Sequence, residues 1–467
     1  MPHYFRNTAF LTDRSLIESF LPSSSRRFFS GPRAWMLPVL GSGLVAWAMP
    51  AHAQVTADAY FPTGNYGYDQ NLGVTVLTRA RPEYEQGGVQ LGGFTVNPEL
   101  DQSIFDNTNV NGTAGSNTGS WGTDTRGSIT GQSDWERNSL QATVGFDHSS
   151  FFQLPVDNFT NWNVGIGGGY TIAGGQLRAT YSHSVYYQLG TQIGAASSEQ
   201  PTEDITDSGE ISYDFNFGRL TVTPSIDFSV YRSGDITNNG VKSSQSYLDR
   251  DVIAGGVVTR YALTGGTGLL LVARGSGSNY YNQTAGQIDN NSTSGMVLAG
   301  FDYQPASVWR YSFLVGVEHT TFAAAQYGSE TVPVIAGQVV WSPDPVLTVV
   351  GNLSRSVQDT DVEGSNGYIQ NQARIVGDYE LKRNVLLEGR LSVQNIAYFQ
   401  SGTQTSESIG GGVTWLLNRT MQLSLNDDFT NQNAPSSAVT PGNTATTEQV
   451  SGAYTQNVLM LTLRFAL

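Results

Sequence analysis

From residue 88 to the end of the chain, polar and apolar residues alternate in segments of roughly ten or more, each broken by turn-forming residues. In residues 219–231, Leu220, Val222, Pro224, Ile226, Phe228 and Val230 fall on one face. Thr221, Thr223, Ser225, Asp227, Ser229 and Tyr231 fall on the other. A strand turns successive side chains to opposite sides, so this segment has one greasy and one wet surface. Pro224 has no N–H to donate, and a bulge or a missing ladder bond is expected there. Residues 176–188, 309–322 and 385–399 repeat the pattern, with weaker versions around Ile129, Met296 and Val334. The last ten residues, V-L-M-L-T-L-R-F-A-L, set Leu459, Leu461, Leu463, Phe465 and Leu467 against Met460, Thr462, Arg464 and Ala466.

The connections add a second regularity. Short ones (near residues 174, 217, 266, 305, 344, 383 and 419) alternate with long ones (107–120, 190–208, 233–247, 282–291, 358–367 and 431–447). Tight turns at one end and long loops at the other are the habit of outer-membrane barrels. The pattern predicts an all-β fold: a transmembrane antiparallel up-and-down β-barrel of about 18 strands, with both mature termini periplasmic. Trp162, Trp309, Trp341 and Trp415, with Tyr170, Tyr303 and Tyr311, fall near strand ends on the apolar side, as interfacial girdles do. A soluble sandwich also alternates, but it does not need a greasy face on nearly every strand. A propeller should show a blade repeat, and none is visible.

Composition narrows the class. The 467 residues include 53 glycines and no cysteine, so disulfides and thiolate metal sites are excluded. Residues 1–53 read as a signal peptide: Arg26, Arg27 and Arg33 precede an apolar run, and Ala51-His52-Ala53 supplies the cleavage context. Taking its five arginines and two acids from the 24 basic and 39 acidic residues leaves 19 against 37, a balance that argues against nucleic acid as a partner. The expected organisation is a signal peptide (1–53), a periplasmic arm or plug (54–87) with a short strand near residues 74–77, and the barrel (88–467). The expected location is the outer membrane of a Gram-negative cell.

The most specific stretch is residues 79–107, R-A-R-P-E-Y-E-Q-G-G-V-Q-L-G-G-F-T-V-N-P-E-L-D-Q-S-I-F-D-N. Its Arg81-Pro82-Glu83-Tyr84 start, glycine pair, Gly93-Phe94, Pro98 and closing Asp106-Asn107 resemble the opening strand of the family called "putative outer-membrane β-barrel porin, type two". The chain departs from the usual outer-membrane ending, with Leu467 where an aromatic is common. The resemblance implies a barrel. In some members it implies a pore for exopolysaccharide export beside a periplasmic polysaccharide-export protein. Other expected partners are outer-membrane lipid, lipopolysaccharide and the barrel-assembly machinery.

The wet faces nominate a lumen lining: Arg178, Asp214, Asp227, Arg274, Arg310, Glu318, Arg374, Asp378, Glu388 and Arg390, with Tyr186, Tyr231 and Tyr398 toward the external ends. Opposed charges facing each other across a pore would order water there. The same charges as ion pairs between neighbouring strands would only stiffen the wall. The tyrosines could stack on sugar rings or simply fill the mouth. No nucleophile triad or paired-carboxylate arrangement emerges, and no enzyme activity, cofactor or metal is expected. The sequence D-T-D-V-E-G at 359–364 is a near miss to a calcium loop, with Glu363 and Gln370 at unsuitable positions. The functional expectation is a pore for hydrophilic solutes, with exopolysaccharide export as its sharper form. A general small-solute porin, or a structural or adhesive barrel with a plugged lumen, are the alternatives.

Overall fold

The computed structural model describes residues 75–114, 118–196, 198–238, 240–283, 289–303, 308–359, 367–399, 402–435 and 452–467. The expected signal peptide, the expected arm before Thr75 and all but Asp359 of the D-T-D-V-E-G stretch lie outside the described residues.

The strands are β1 (Val89–Leu91), β2 (Phe94–Asn107), β3 (Ser120–Ser133), β4 (Ser139–Phe151), β5 (Phe159–Ile172), β6 (Gly175–Gln188), β7 (Thr202–Phe217), β8 (Leu220–Ser233), β9 (Asp235–Asn238), β10 (Val241–Ser244) and β11 (Arg250–Thr264). They continue as β12 (Thr267–Tyr280), β13 (Ser292–Tyr303), β14 (Trp309–Phe322), β15 (Ser329–Asp344), β16 (Leu347–Gln358), β17 (Tyr368–Lys382), β18 (Val385–Tyr398), β19 (Thr403–Leu416), β20 (Met421–Gln432) and β21 (Tyr454–Ala466). β2–β8 and β11–β21 each pair antiparallel with the next, and β21 pairs back onto β2. The result is a closed antiparallel barrel of 18 strands, as the alternation predicts. Closure matters physically, because an open edge in lipid would leave a row of peptide groups without partners.

The faces follow the predicted phase. On β21, Leu459, Leu461 and Phe465 are exposed, as is Leu467 just beyond it, while Met460, Arg464 and Ala466 are buried. At the short-turn end, Trp309 stacks on Trp341 with ring centroids 5.7 Å apart, and Tyr303 on Tyr311 at 4.9 Å. Tyr170 and Trp415 are exposed outward at the same end, and Trp162 toward the other. Two-residue turns close β5–β6, β7–β8, β11–β12, β15–β16 and β17–β18. In the first, Ala173 (φ 50°) and Gly174 (φ 82°) both take the left-handed region that suits a tight hairpin.

Several expectations shift. β7 begins at Thr202, so the loop before it is shorter than 190–208. The 233–247 loop carries its own hairpin, β9–β10. Pro224 takes the missing-bond solution: it faces Val257 in register, while pairing with β7 lapses between Ser212–Ser225 and Phe215–Val222. The strand expected near 74–77 is a turn over its described residues, where Val76 is fully buried against Leu386 and Leu416. Side-chain burial there outweighs β propensity. The barrel wall itself starts at Phe94, after the short β1–β2 hairpin.

One departure concerns the inner face. Val258, Leu270, Val272, Met296, Leu298, Leu314, Val334 and Ala336 form a buried apolar cluster on the inner side of β11–β15. Neighbouring backbones approach closely here. A methyl on Gly300 would overlap the Phe313 carbonyl oxygen, and one on Gly316 would overlap that of Val297. Only glycine permits so close a backbone approach. We expect Gly316→Ala to cost about 1–3 kcal/mol or to block assembly. Gly295→Ala, with nothing within 4 Å of the new methyl, should behave as wild type. The urea midpoint of the heat-modifiable folded band on a gel reads the difference.

Candidate functional site

Every charged residue named for the lumen falls on the inner face, and most pair along the wall rather than across it. Arg178 pairs with Asp214, which also accepts a hydrogen bond from Thr223 Oγ1. Arg274 pairs with Asp227. Arg390 bridges Glu388 at 2.6 Å and Asp428 at 2.8 Å. Arg260 pairs with Asp302 at 2.8 Å, and Arg126 with Asp124 and Asp147.

Two of these pairs are clasps over a glycine. Arg390, Gly410 and Asp428 stand in one row across β18, β19 and β20. A methyl on Gly410 would overlap the Asp428 carboxylate. Over Gly268 of β12, Arg260 of β11 reaches Asp302 of β13, and a methyl there would lie 2.6 Å from Asp302 and 2.9 Å from Arg260. The bare middle strand lets a side chain reach the second strand over.

The other nominated charges are not so placed. Arg374 Nη2, Asp378 Oδ1, and Arg310 Nε and Nη2 are buried with no hydrogen-bond partner among the described residues. Arg374 and Asp378 share one wall with Glu388 and Arg390, Asp378 facing Glu388 in register. Arg310 stands apart near the start of β14. Glu318 is buried beside the apolar cluster, facing Met296 and Val332 in register.

The long-loop end is crossed by a strap. Residues 189–201 leave β6 and rejoin the wall at β7, yet Ile193 packs on Tyr368, Ile396 and Tyr398 of β17 and β18, half a turn around the ring. Tyr454 of β21 donates to the Thr191 carbonyl. Gly194 sits at φ +83°, and a methyl there would lie 2.8 Å from Ile396 Cδ1. The strap rejoins the hairpin loop where Glu199 N–H donates to Thr237 O at 2.8 Å.

A second brace crosses the same end. Arg250 Nε lies 3.2 Å from Asp359, beyond the end of β16, with its guanidinium 4.6 Å from the Tyr231 ring centroid and 5.5 Å from that of Tyr280. Phe322 of β14 meets Phe399, just after β18, at 6.2 Å. The nominated Tyr231 and Tyr398 are therefore held in mouth packing. Tyr186 lies half-buried on the inner face of β6.

At the short-turn end the chain enters the barrel. Val76 N–H donates to Thr348 Oγ1 at 3.0 Å, and Arg79 Nη1 to Pro345 O at 2.8 Å. Arg79 and Arg81 both pair with Glu380, at 3.1 and 2.7 Å. Burial lowers the Arg81 guanidinium from its ordinary pKa, and the Glu380 carboxylate offsets part of that. The Arg81-Pro82-Glu83-Tyr84 start thus lies against the inner wall and not in a strand. Sequence reading had no means to find the strap, Arg250 or Asp359 as lumenal. The apolar cluster did carry a signal: runs such as Leu269-Leu270-Leu271-Val272 are apolar on both faces.

A closed barrel with a greasy outside and an inner face that carries its charges is built to span an outer membrane. The model of the family "Putative beta-barrel porin 2" matches residues 81–464, and the chain belongs to that family. Among solved structures it is similar to a BenF-like porin from Pseudomonas fluorescens Pf-5, at 11% identity over 81% of this chain and 100% of that one, with a TM-score of 0.45. It is also similar to the outer membrane protein opdK of Pseudomonas aeruginosa, at 10% identity over 81% and 100%, TM-score 0.44. OccAB3 of Acinetobacter baumannii stands at 12% over 81% and 100%, TM-score 0.44. No curated protein matches the chain.

Proposed function

We propose that this protein is a passive outer-membrane channel for small hydrophilic solutes, with the short turns in the periplasm and the long loops outside. One observation carries the reading: an 18-strand ring closed by β2–β21, apolar outward and lined inward by charges, amides and hydroxyls. No catalytic role is needed for such a wall. Passage is limited by the strap at one mouth and by residues 75–86 at the other. Export of an exopolysaccharide chain, beside a periplasmic partner protein, finds no support in the family match. A strap fixed at both ends of the lumen's width suits small solutes better than a continuous polymer. The plugged structural barrel remains the competing reading, favoured by the Arg79–Arg81–Glu380 contact inside the wall.

Purified protein in planar bilayers decides between them. A channel gives stepwise ion conductance from the full mature chain. A plugged barrel conducts only after Glu380→Ala or removal of the arm. Silence from both forms would end the channel reading.

A further inference from the structure

Between Arg374 and the strand ends, the inner faces of β16, β17 and β18 carry no charged side chain. They carry amides and hydroxyls instead: Gln358 and Ser356 on β16, Gln370 and Gln372 on β17, Gln394 and Ser392 on β18. Register places them in adjoining rows. Gln370 faces Ser356 on one side and Ile396 on the other, and Gln372 faces Gln394. Diagonal neighbours on one sheet face lie about 7–8 Å apart, within reach of side chains this long.

The amides are deeply set and incompletely bonded. Gln358, Gln370 and Gln394 are 1%, 3% and 6% exposed. Gln358 donates to Ser356 Oγ at 2.8 Å, and its Oε1 has no hydrogen-bond partner among the described residues. Gln370 Oε1 and Gln394 Nε2 also have none. Two acceptors and a donor thus stand together, all neutral, in a wall where most charges are paired to each other. An orphaned amide in a low-dielectric wall is costly, so a solute that supplies the missing bonds is favoured there.

The chemistry selects the solute. A carboxylate could satisfy Gln394 but would repel the two carbonyl oxygens. An ammonium would do the reverse. A polyol presents several hydroxyls, each donor and acceptor at once: two can donate to the carbonyl oxygens and a third can accept from Gln394, without importing charge. The aromatic rings of Tyr368 and Tyr398 border the same rows, where Ile193 of the strap covers them. Their faces suit the C–H side of a sugar ring once the strap lifts.

We propose that the amide stripe on β16–β18, under the strap, is a binding subsite for neutral polyhydroxylated solutes of small-saccharide size. The proposal rests on the channel reading above for its access route, and it names that channel's preferred solute. Sucrose is the probe, with gluconate as the charged comparison. Saturation-transfer NMR on the detergent-folded protein should show sucrose contact that gluconate does not match. In bilayers sucrose should interrupt the ion current. Gln370→Leu should raise the half-blocking sucrose concentration about fivefold, the loss typical of one hydrogen bond, and Gln370→Leu with Gln394→Leu should raise it further. If the leucine variants do not fold, the similarly shaped Gln370→Met, which also removes the unbonded acceptor, should still weaken sucrose while keeping the folded band.

The outcomes separate cleanly. Conductance with no sucrose contact, with equal sucrose and gluconate effects, or with variants that block as wild type does, overturns the subsite and leaves the channel. Sucrose contact that the variants lose, in a protein that never conducts, supports the subsite and overturns the channel.

Discussion

Arg464→Ala leaves a chain that folds into strands but does not hold its ring shut. Arg464 is on the last strand, β21, and its partners Asp101 and Glu99 are on β2, the first strand of the closed ring. Its guanidinium meets Asp101 through two bonds, 2.8 and 2.7 Å, and Glu99 at 3.1 Å. Asp101 and Arg464 are 5% and 8% exposed. Removing one member of a buried pair strands the other, which costs about 3–5 kcal/mol. The cost falls on the one junction that closes the cylinder, so it should read out as lost closure. The expected result is loss of the heat-modifiable folded band, or a markedly lower urea midpoint, for Arg464→Ala and Asp101→Ala alike. The exchanged pair, Asp101→Arg with Arg464→Asp, should recover part of it. Single variants as stable as wild type would show that Ser103–Thr462 and the backbone ladder suffice.

The second large effect is on conductance. Gly194→Val should expel the strap, because residue 194 takes a left-handed backbone and has Ile396 Cδ1 2.8 Å from any added carbon. A β-branched residue is among the worst replacements at such a φ. The strap is no part of the strand pairing that closes the barrel, so the barrel should stay folded while conductance rises severalfold. The chain lacks cysteine. Ile193→Cys with Ile396→Cys, joined by a short thiol crosslinker, should therefore pin the strap specifically and keep conductance at the wild-type level. Unchanged conductance in Gly194→Val would place the constriction elsewhere.

The wall was legible because its physics is local. Each strand needs alternate apolar residues, and 219–231 or 459–467 show them without any neighbour being known. Pairing along the wall was less legible. Arg178 and Asp214 are neighbours only because β6 and β7 meet in one register, and Arg390 finds Asp428 two strands away. Neither relation is written in either segment alone. The strap was illegible for another reason. Residues 189–201 show no alternation in sequence, and Ile193 finds its partners half a ring away. Leu314 is a simpler case: it lies on the inner face of 309–322 between Ser312 and Glu318, whose polarity marks that face as wet. The 74–77 stretch is too short for its alternation to outweigh a buried turn.

Assembly must reject errors that the greasy–wet pattern tolerates. A strand sliding by two residues keeps every side chain on its proper side. The glycine clasps do not tolerate it. If β12 slid by two in one direction, Leu270 would stand where Gly268 now lies, and Arg260 could no longer reach Asp302. The wall therefore carries its own ruler, in which a missing side chain is the graduation mark and an ion pair two strands wide does the measuring.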